Sequence, residues 1–293
     1  MEEKRKVLIK KYVPLIFTSL LVAVTAGLVY QDFQNSHRGL TFAMLDIGQG
    51  DALFIESPTG MQILVDGGPP GKILGQLSRV MSPFDKHIDA IIITNPDQDH
   101  IGGFLDVLKV YKVDKVFEPG TINDSKTYQN LETEIKNKKI PDILAKKGMR
   151  LDLGGGANLD ILFPDRDVSL WASNDGSIVA RLSYGETSVM LTGDATTKTE
   201  KIILGENSLA MLQSDILKVG HHGSRTSTSE AFVKAVSPEV ALISDGKDNK
   251  YGHPHQDTLD TLASFGAKIF RTDLLGTIIM ESDGKNETFS FQK

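Results

Sequence analysis

The chain has 293 residues, with 32 Lys+Arg against 38 Asp+Glu and 7 His, and 40% of it is hydrophobic. That length and apolar share suffice for a buried core in one large domain or two small ones, and a charged fraction of 24% with only 11 Pro excludes a disordered tail or a low-complexity fibre. With no cysteine, disulfide scaffolds, Cys-ligated zinc ribbons and thiol catalysis are excluded as well.

Five basic residues (Lys4, Arg5, Lys6, Lys10 and Lys11) lead into Tyr12–Gln31, 20 residues without a charge. As a helix this run is about 30 Å long, one hydrocarbon core, and the basic flank holds its N-terminal end in the cytoplasm. Residues 1–31 are therefore expected to be a single transmembrane helix that anchors an extracytoplasmic body to the membrane. The rival reading is a signal peptide cleaved near Val24-Thr25-Ala26. Residues 32–39 read as a polar linker. The body beyond residue 31 keeps 27 Lys+Arg and 36 Asp+Glu, a net charge of −9, which argues against gripping nucleic acid through bulk charge. One local exception, Lys136, Lys138, Lys139, Lys146, Lys147 and Arg150, reads either as a solvated helix face with its turn or as a phosphate-contacting patch.

Residues 40–293 contain no Pro/Gly/Ser-rich divide and read as one domain. Apolar runs at Thr41–Ile47, Asp51–Ser57 and Met61–Val65, broken by Gly48-Gln49-Gly50 and Pro58-Thr59-Gly60, predict an antiparallel meander. Helical spacing follows at Lys72–Met81, then a doubly buried strand at Ile88–Thr94, a helix at Gly103–Tyr111, a strand at Lys115–Glu118 and a helix at Ser125–Lys139. The second half repeats this logic. Strands are expected at Leu159–Phe163, Ile178–Tyr184, Ser188–Thr192, Ile216–Val219, Val240–Ser244, Lys268–Arg271 and Gly276–Glu281, with helices near Thr197–Leu204, Ser229–Val236 and Gln256–Phe265. Two strand-rich halves with covering helices predict an α/β fold, a four-layer αββα sandwich.

Four apolar strands end abruptly in polar side chains, which delivers possible ligands to the rim of a sheet. They run into Asp66-Gly67-Gly68, into Thr94-Asn95-Pro96-Asp97-Gln98-Asp99-His100, into Thr192-Gly193-Asp194, and into Gly220-His221-His222-Gly223-Ser224. A strand ending in Asp-Gly is ordinarily a turn. The cluster Asn95, Asp97, Asp99 and His100 is harder to dismiss, because these groups repel or desolvate one another unless a cation lies among them.

This order of motifs resembles the metallo-β-lactamase superfamily and, within it, the extracytoplasmic domain of ComEC-type competence proteins. Supporting segments are Leu45-Asp46-Ile47-Gly48-Gln49-Gly50-Asp51, Asp97-Gln98-Asp99-His100-Ile101-Gly102-Gly103, Leu217-Lys218-Val219-Gly220-His221-His222-Gly223-Ser224 and Tyr251-Gly252-His253-Pro254-His255. The resemblance implies a metallo-β-lactamase sandwich holding one or two divalent ions, zinc or manganese. Asp99 and His100 with His221, or its neighbour His222, would form one metal site; Asp194 would bridge two ions; Asp97 would help hold the second. Asp66 would orient the cluster, and His253 would stabilise or protonate a leaving oxygen, so that Asp66, Asp99 and His253 carry the catalytic roles. Asn95 departs from the family motif, which has His there, and leaves that metal position weak, manganese-like or empty. The function implied is a membrane-anchored, extracytoplasmic metal-dependent hydrolase, a phosphodiesterase or nuclease with a phosphodiester substrate such as DNA. The alternatives are a phosphoesterase acting on an envelope polymer or a phosphocholine-type group, and a catalytically impaired binding module.

Overall fold

A computed structural model describes residues 11–27 and 39–293. Residues 11–27 are helical (α1), and the hydroxyls of Thr18, Ser19 and Thr25 donate back to the carbonyls of Pro14, Leu15 and Leu21. This overturns the expected transmembrane helix. Among the described residues no helix is long and apolar enough to cross a membrane. The membrane attachment and the extracytoplasmic placement that rested on that helix fall with it. Lys4, Arg5, Lys6, Lys10 and the expected linker up to Arg38 lie outside the described residues.

Residues 39–293 form a separate unit built on two sheets. The first contains β1 (Leu40–Met44), β2 (Leu53–Glu56), β3 (Gln62–Val65), β5 (Ala90–Ile92), β7 (Val116–Glu118), β8 (Asp142–Leu144), β16 (Thr277–Ser282) and β17 (Glu287–Gln292), in the order β17-β16-β1-β2-β3-β5-β7-β8. The second contains β9 (Arg150–Gly154), β10 (Ala157–Phe163), β11 (Val179–Tyr184), β12 (Thr187–Leu191), β13 (Ile216–Lys218), β14 (Val240–Ile243) and β15 (Lys268–Arg271), in the order β15-β14-β13-β12-β11-β10-β9. β4 (His87–Ile88) and β6 (Lys112–Val113) form a short ladder of their own.

Strand alternation sorts the apolar side chains into layers. Ile63, Val65 and Ile92 of the first sheet pack with Leu159, Leu182 and Leu191 of the second. Leu64 and Ile91, on the opposite face, meet α2 (Ile73–Val80), α4 (Phe104–Val110) and α5 (Lys126–Lys138) through Leu77, Phe104 and Leu131. Leu217 and Val219 likewise meet α6 (Thr197–Glu206), α8 (Glu230–Val236) and α9 (Gln256–Ser264) through Ile203, Phe232 and Leu262. The result is helices, sheet, sheet, helices. Short helices α3 (Gln98–Ile101), α7 (Leu209–Leu212) and α10 (Thr272–Leu275) complete the chain. β3 runs parallel to β5, and β12, β13 and β14 run parallel to one another. Their C-terminal ends collect the polar motifs, the rim at which open α/β sheets bind ligands.

Candidate metal centre

Each polar motif reaches this rim through a locally strained or tightly packed turn. Asp66 follows β3 in a left-handed conformation (φ 59°) that costs a non-glycine residue about 1–3 kcal/mol. Three contacts hold it there. Its Oδ1 accepts from the Thr94 N–H at 2.8 Å, and its Oδ2 accepts from Thr94 Oγ1 at 2.6 Å and lies 2.8 Å from His100 Nδ1. His100, fully buried in α3, is thereby turned so that Nε2 lies 3.2 Å from Asp194 Oδ2. After β13, His221 and His222 are both left-handed (φ 48° and 54°). The turn carries His222 inward, where Nδ1 donates to the Ser244 carbonyl at 2.9 Å and Nε2 lies 3.6 Å from both Asp194 Oδ2 and Asp99 Oδ2. Gly50 has to be glycine, because a Cβ there would stand 2.1 Å from the Asp99 carbonyl oxygen. Its closeness lets the Asp51 N–H donate to that oxygen.

These donors fit a divalent cation. With Nδ1 of His100 facing Asp66 and Nδ1 of His222 given to a carbonyl, the Nε2 atoms are the ones left to face inward. Both Nε2 atoms and Asp194 Oδ1 are buried without a hydrogen-bond partner, an arrangement that costs free energy unless something positive lies among them. Asp99, His100 and His222 each offer a ligand atom within 4.8 Å of the others; two imidazoles and carboxylate oxygens suit zinc or manganese. Without a cation, protons take its part. Burial opposes charge on His222, but the Asp194 and Asp51 carboxylates outweigh it and push its pKa up to about 10. Burial likewise opposes charge on His100, which Asp194 and Asp66 nevertheless raise well above the usual histidine range. Against its own burial, Asp99 is pulled down to about 2 by His222 and His100. Metal binding therefore has to displace protons from these imidazoles.

The remaining expected residues divide. Of the two neighbouring histidines, His222 joins Asp99 and His100; His221 is a quarter exposed, 3.8 Å from Asp194 Oδ2, and contacts Thr226 Oγ1 (3.2 Å) and Asn174 Nδ2 (3.4 Å). Asn95 is buried, but its Oδ1 accepts from the Asp97 N–H at 2.9 Å and its Nδ2 lies 3.5 Å from Ser177 Oγ, so the amide is spent on its own turn. Asp97 meets Asn123 Nδ2 at 3.3 Å and, among the described residues, joins no group of three possible ligands. His253 stands at the mouth, its ring 5.5 Å from that of His221 and 6.3 Å from that of His222. Burial and the charges of His222 and His221 depress its pKa to about 4, so it is neutral at pH 7 and can donate a hydrogen bond but carries no spare proton.

Two further buried groups, Asp51, which the sequence offers only as a residue that could line the site, and Lys218, to which it assigns no role, form a close ion pair below the centre. A signal for Lys218 was present. It falls two positions after Ile216, on the face of an otherwise apolar strand that turns toward the other sheet.

Comparison with known proteins places this geometry. The profile of the metallo-β-lactamase superfamily matches residues 45–244. The chain is 33% identical over 273 residues to ComE operon protein 3 of Bacillus subtilis (strain 168), covering 84% of this chain and 34% of that protein. It is 30% identical over 238 residues to Recombination protein 2 of Haemophilus influenzae, covering 80% and 28%. The chain thus spans about a third or less of these relatives' length. Among solved structures, Igni18, a metallo hydrolase of the archaeon Ignicoccus hospitalis, has a TM-score of 0.54 at 17% identity, covering 83% of this chain and all of that one. CmlA, a diiron β-hydroxylase of Streptomyces venezuelae, reaches 0.55 at 15% identity, covering 84% and 54%. At such identities these two share the fold alone.

Proposed function

The chain belongs to the metallo-β-lactamase superfamily, and from that premise we propose that it is a metal-dependent phosphodiester hydrolase. The observation that carries the proposal is the pair of buried Nε2 atoms of His100 and His222, which make no hydrogen bond and converge on Asp194. Such a set of donor atoms fits a divalent cation. When bound, a divalent ion supplies Lewis-acid polarisation and acidifies water. The chain's own groups do the rest. Asp66 keeps the His100 ring oriented through Nδ1, and the Ser244 carbonyl does so for His222. Asp99, a third exposed at the mouth, stays ionised and can accept the proton of an attacking water. His253 donates an N–H to the leaving oxygen.

The names of the relatives point toward nucleic acid, but the basic stretch is partly neutralised in this fold. Arg150 pairs with Asp160, Lys147 with Glu206 and Lys136 with Glu132. Strong nucleic-acid binding needs many free phosphate contacts, so the nuclease expectation tied to membrane anchoring is set aside, and a phosphocholine-type or envelope-polymer phosphodiester is taken as the substrate class to test. The test is hydrolysis of bis-p-nitrophenyl phosphate and p-nitrophenyl phosphorylcholine by the full chain, titrated with manganese and zinc. Turnover that vanishes in His100→Ala supports the reading; equal rates in wild type and variant, or none with either metal, reject it.

A further inference from the structure

Lys218, the last residue of β13, has no exposed surface, a rare position for an ammonium group. Its side chain projects between the sheets and ends beneath the metal centre. There Nζ pairs closely with Asp51, donates to the Gly193 carbonyl at 2.8 Å, and lies 4.0 Å from Asp194 Oδ1. Asp51 belongs to the other sheet's β1–β2 connection and is just as buried, 3.5 Å from His222 Nδ1 and 3.9 Å from His100 Nδ1. A buried ion pair can often be replaced by well-packed apolar residues without loss of stability, so stability alone gives little reason for one at this spot.

The arrangement of ligand atoms supplies a reason. Three triads with metal-ligand spacing surround the centre: Asp99–His100–His222, Asp51–Asp66–His100 and Asp51–Asp194–His222. Two of the three depend on Asp51, and the ammonium already lies against that carboxylate. We infer that Lys218 is a built-in cation that fills the Asp51 side of the centre and confines divalent ions to the side formed by Asp99, His100, His222 and Asp194. A divalent ion at Asp51 would have to sit beside a fixed positive charge in a dry interior, where like-charge repulsion is strong. The inference rests on the metal-site reading above, and the tests separate the two.

Lys218→Met removes the charge, keeps most of the volume, and leaves the Asp51 carboxylate without its counter-ion. Folded full-length Lys218→Met is expected to hold one more Mn²⁺ per chain than wild type, measured by elemental analysis and by isothermal titration. The Asp51→Asn/Lys218→Met double variant should return to the wild-type count. Equal stoichiometry in folded Lys218→Met and wild type overturns the inference. If Lys218→Met does not fold, Mn anomalous scattering from crystals of the unaltered chain decides: the ion is expected against Asp99, His100, His222 and Asp194, and a manganese peak on Asp51 overturns the inference alone. Wild type that takes up no divalent ion removes the metal-site reading and this inference with it.

Discussion

Asp66 shows how a residue that need not touch a metal can set its affinity. Its carboxylate is the partner of His100 Nδ1 and of both Thr94 donors, so Asp66→Ala frees the ring to rotate and leaves buried donors unmatched. Metal affinity is expected to fall 10–100-fold, read by isothermal titration; unchanged affinity would show that packing alone orients the ring. The two adjacent histidines should separate sharply. His222→Ala removes a buried donor atom and is expected to abolish tight binding, whereas His221→Ala, which alters a part-exposed side chain hydrogen-bonded to Thr226 and Asn174, should change affinity less than tenfold. The reverse ranking in the same titration would reassign the ligand. At His253 the depressed pKa of about 4 makes the sign of its pH effect definite: the imidazole is neutral throughout pH 6–8 and contributes no titrating limb there. His253→Ala should therefore lower kcat by roughly 10²-fold without changing the shape of the pH–rate profile over that range. A limb near pH 7 that disappears in the variant would give His253 the acid role expected from the sequence.

Elements differ in how plainly the sequence marks them, and the reason is burial. The meander β1–β3 and the strands β5, β12, β13 and β14 are mostly apolar because both faces are covered. The edge strands β8, β9 and β17 are half exposed and rich in charged or hydroxyl residues, so they read as loop or as the tail of a basic helix. The candidate cluster was legible because polar residues at the ends of buried strands need a reason. The choice between His221 and His222 was not, since it depends on two successive left-handed residues that no periodicity signals. The expected anchor is not supported, since among the described residues no helix is long and apolar enough to cross a membrane. The edge also carries a testable liability. Glu118, at the end of β7, faces Tyr128 and Glu132 of α5 and Asp142 of β8; burial, then the Asp142 and Glu132 charges, raise its pKa to about 7. Because the folded state holds this proton more tightly than the unfolded chain, stability is lost as pH rises from about 4.5 through 7. Glu118→Gln should remove that loss, on the order of 1–2 kcal/mol once solvent screening is allowed for. Melting curves at pH 5.5 and 8 in saturating manganese check it: wild type should drop by a few degrees more than the variant, and parallel drops would refute it.

At the scale of the whole domain, the centre is where the two sheets are tied together by polar groups. Asp66, Asp99 and His100 follow strands of the first sheet, and Asp194 and His222 follow strands of the second. Elsewhere the contact between the sheets is chiefly the apolar layer, joined by a few polar ties such as Thr187 to Ser282 and Glu287 and Thr59 to the Leu153 carbonyl. In the metal-free chain the rim is held by imidazolium–carboxylate pairs whose desolvation offsets much of their attraction. A divalent ion held there would replace those protons and would favour the folded arrangement, because the unfolded chain scatters the donors across more than 120 positions, from Asp99 to His222. At 100 times Kd the linkage contributes about 2.7 kcal/mol, which for a domain of this size corresponds to a rise of roughly 5–10 °C in Tm. The half-buried His87–Asp89–Asp114 group lies away from the cleft and cannot produce such a shift by joining the halves. Calorimetry of the chelated and manganese-loaded chain should therefore show the rise in wild type and in a His87→Ala variant, and lose it in His100→Ala. A shift that survived in His100→Ala but vanished in His87→Ala would move the stabilising ion out of the cleft and to the surface.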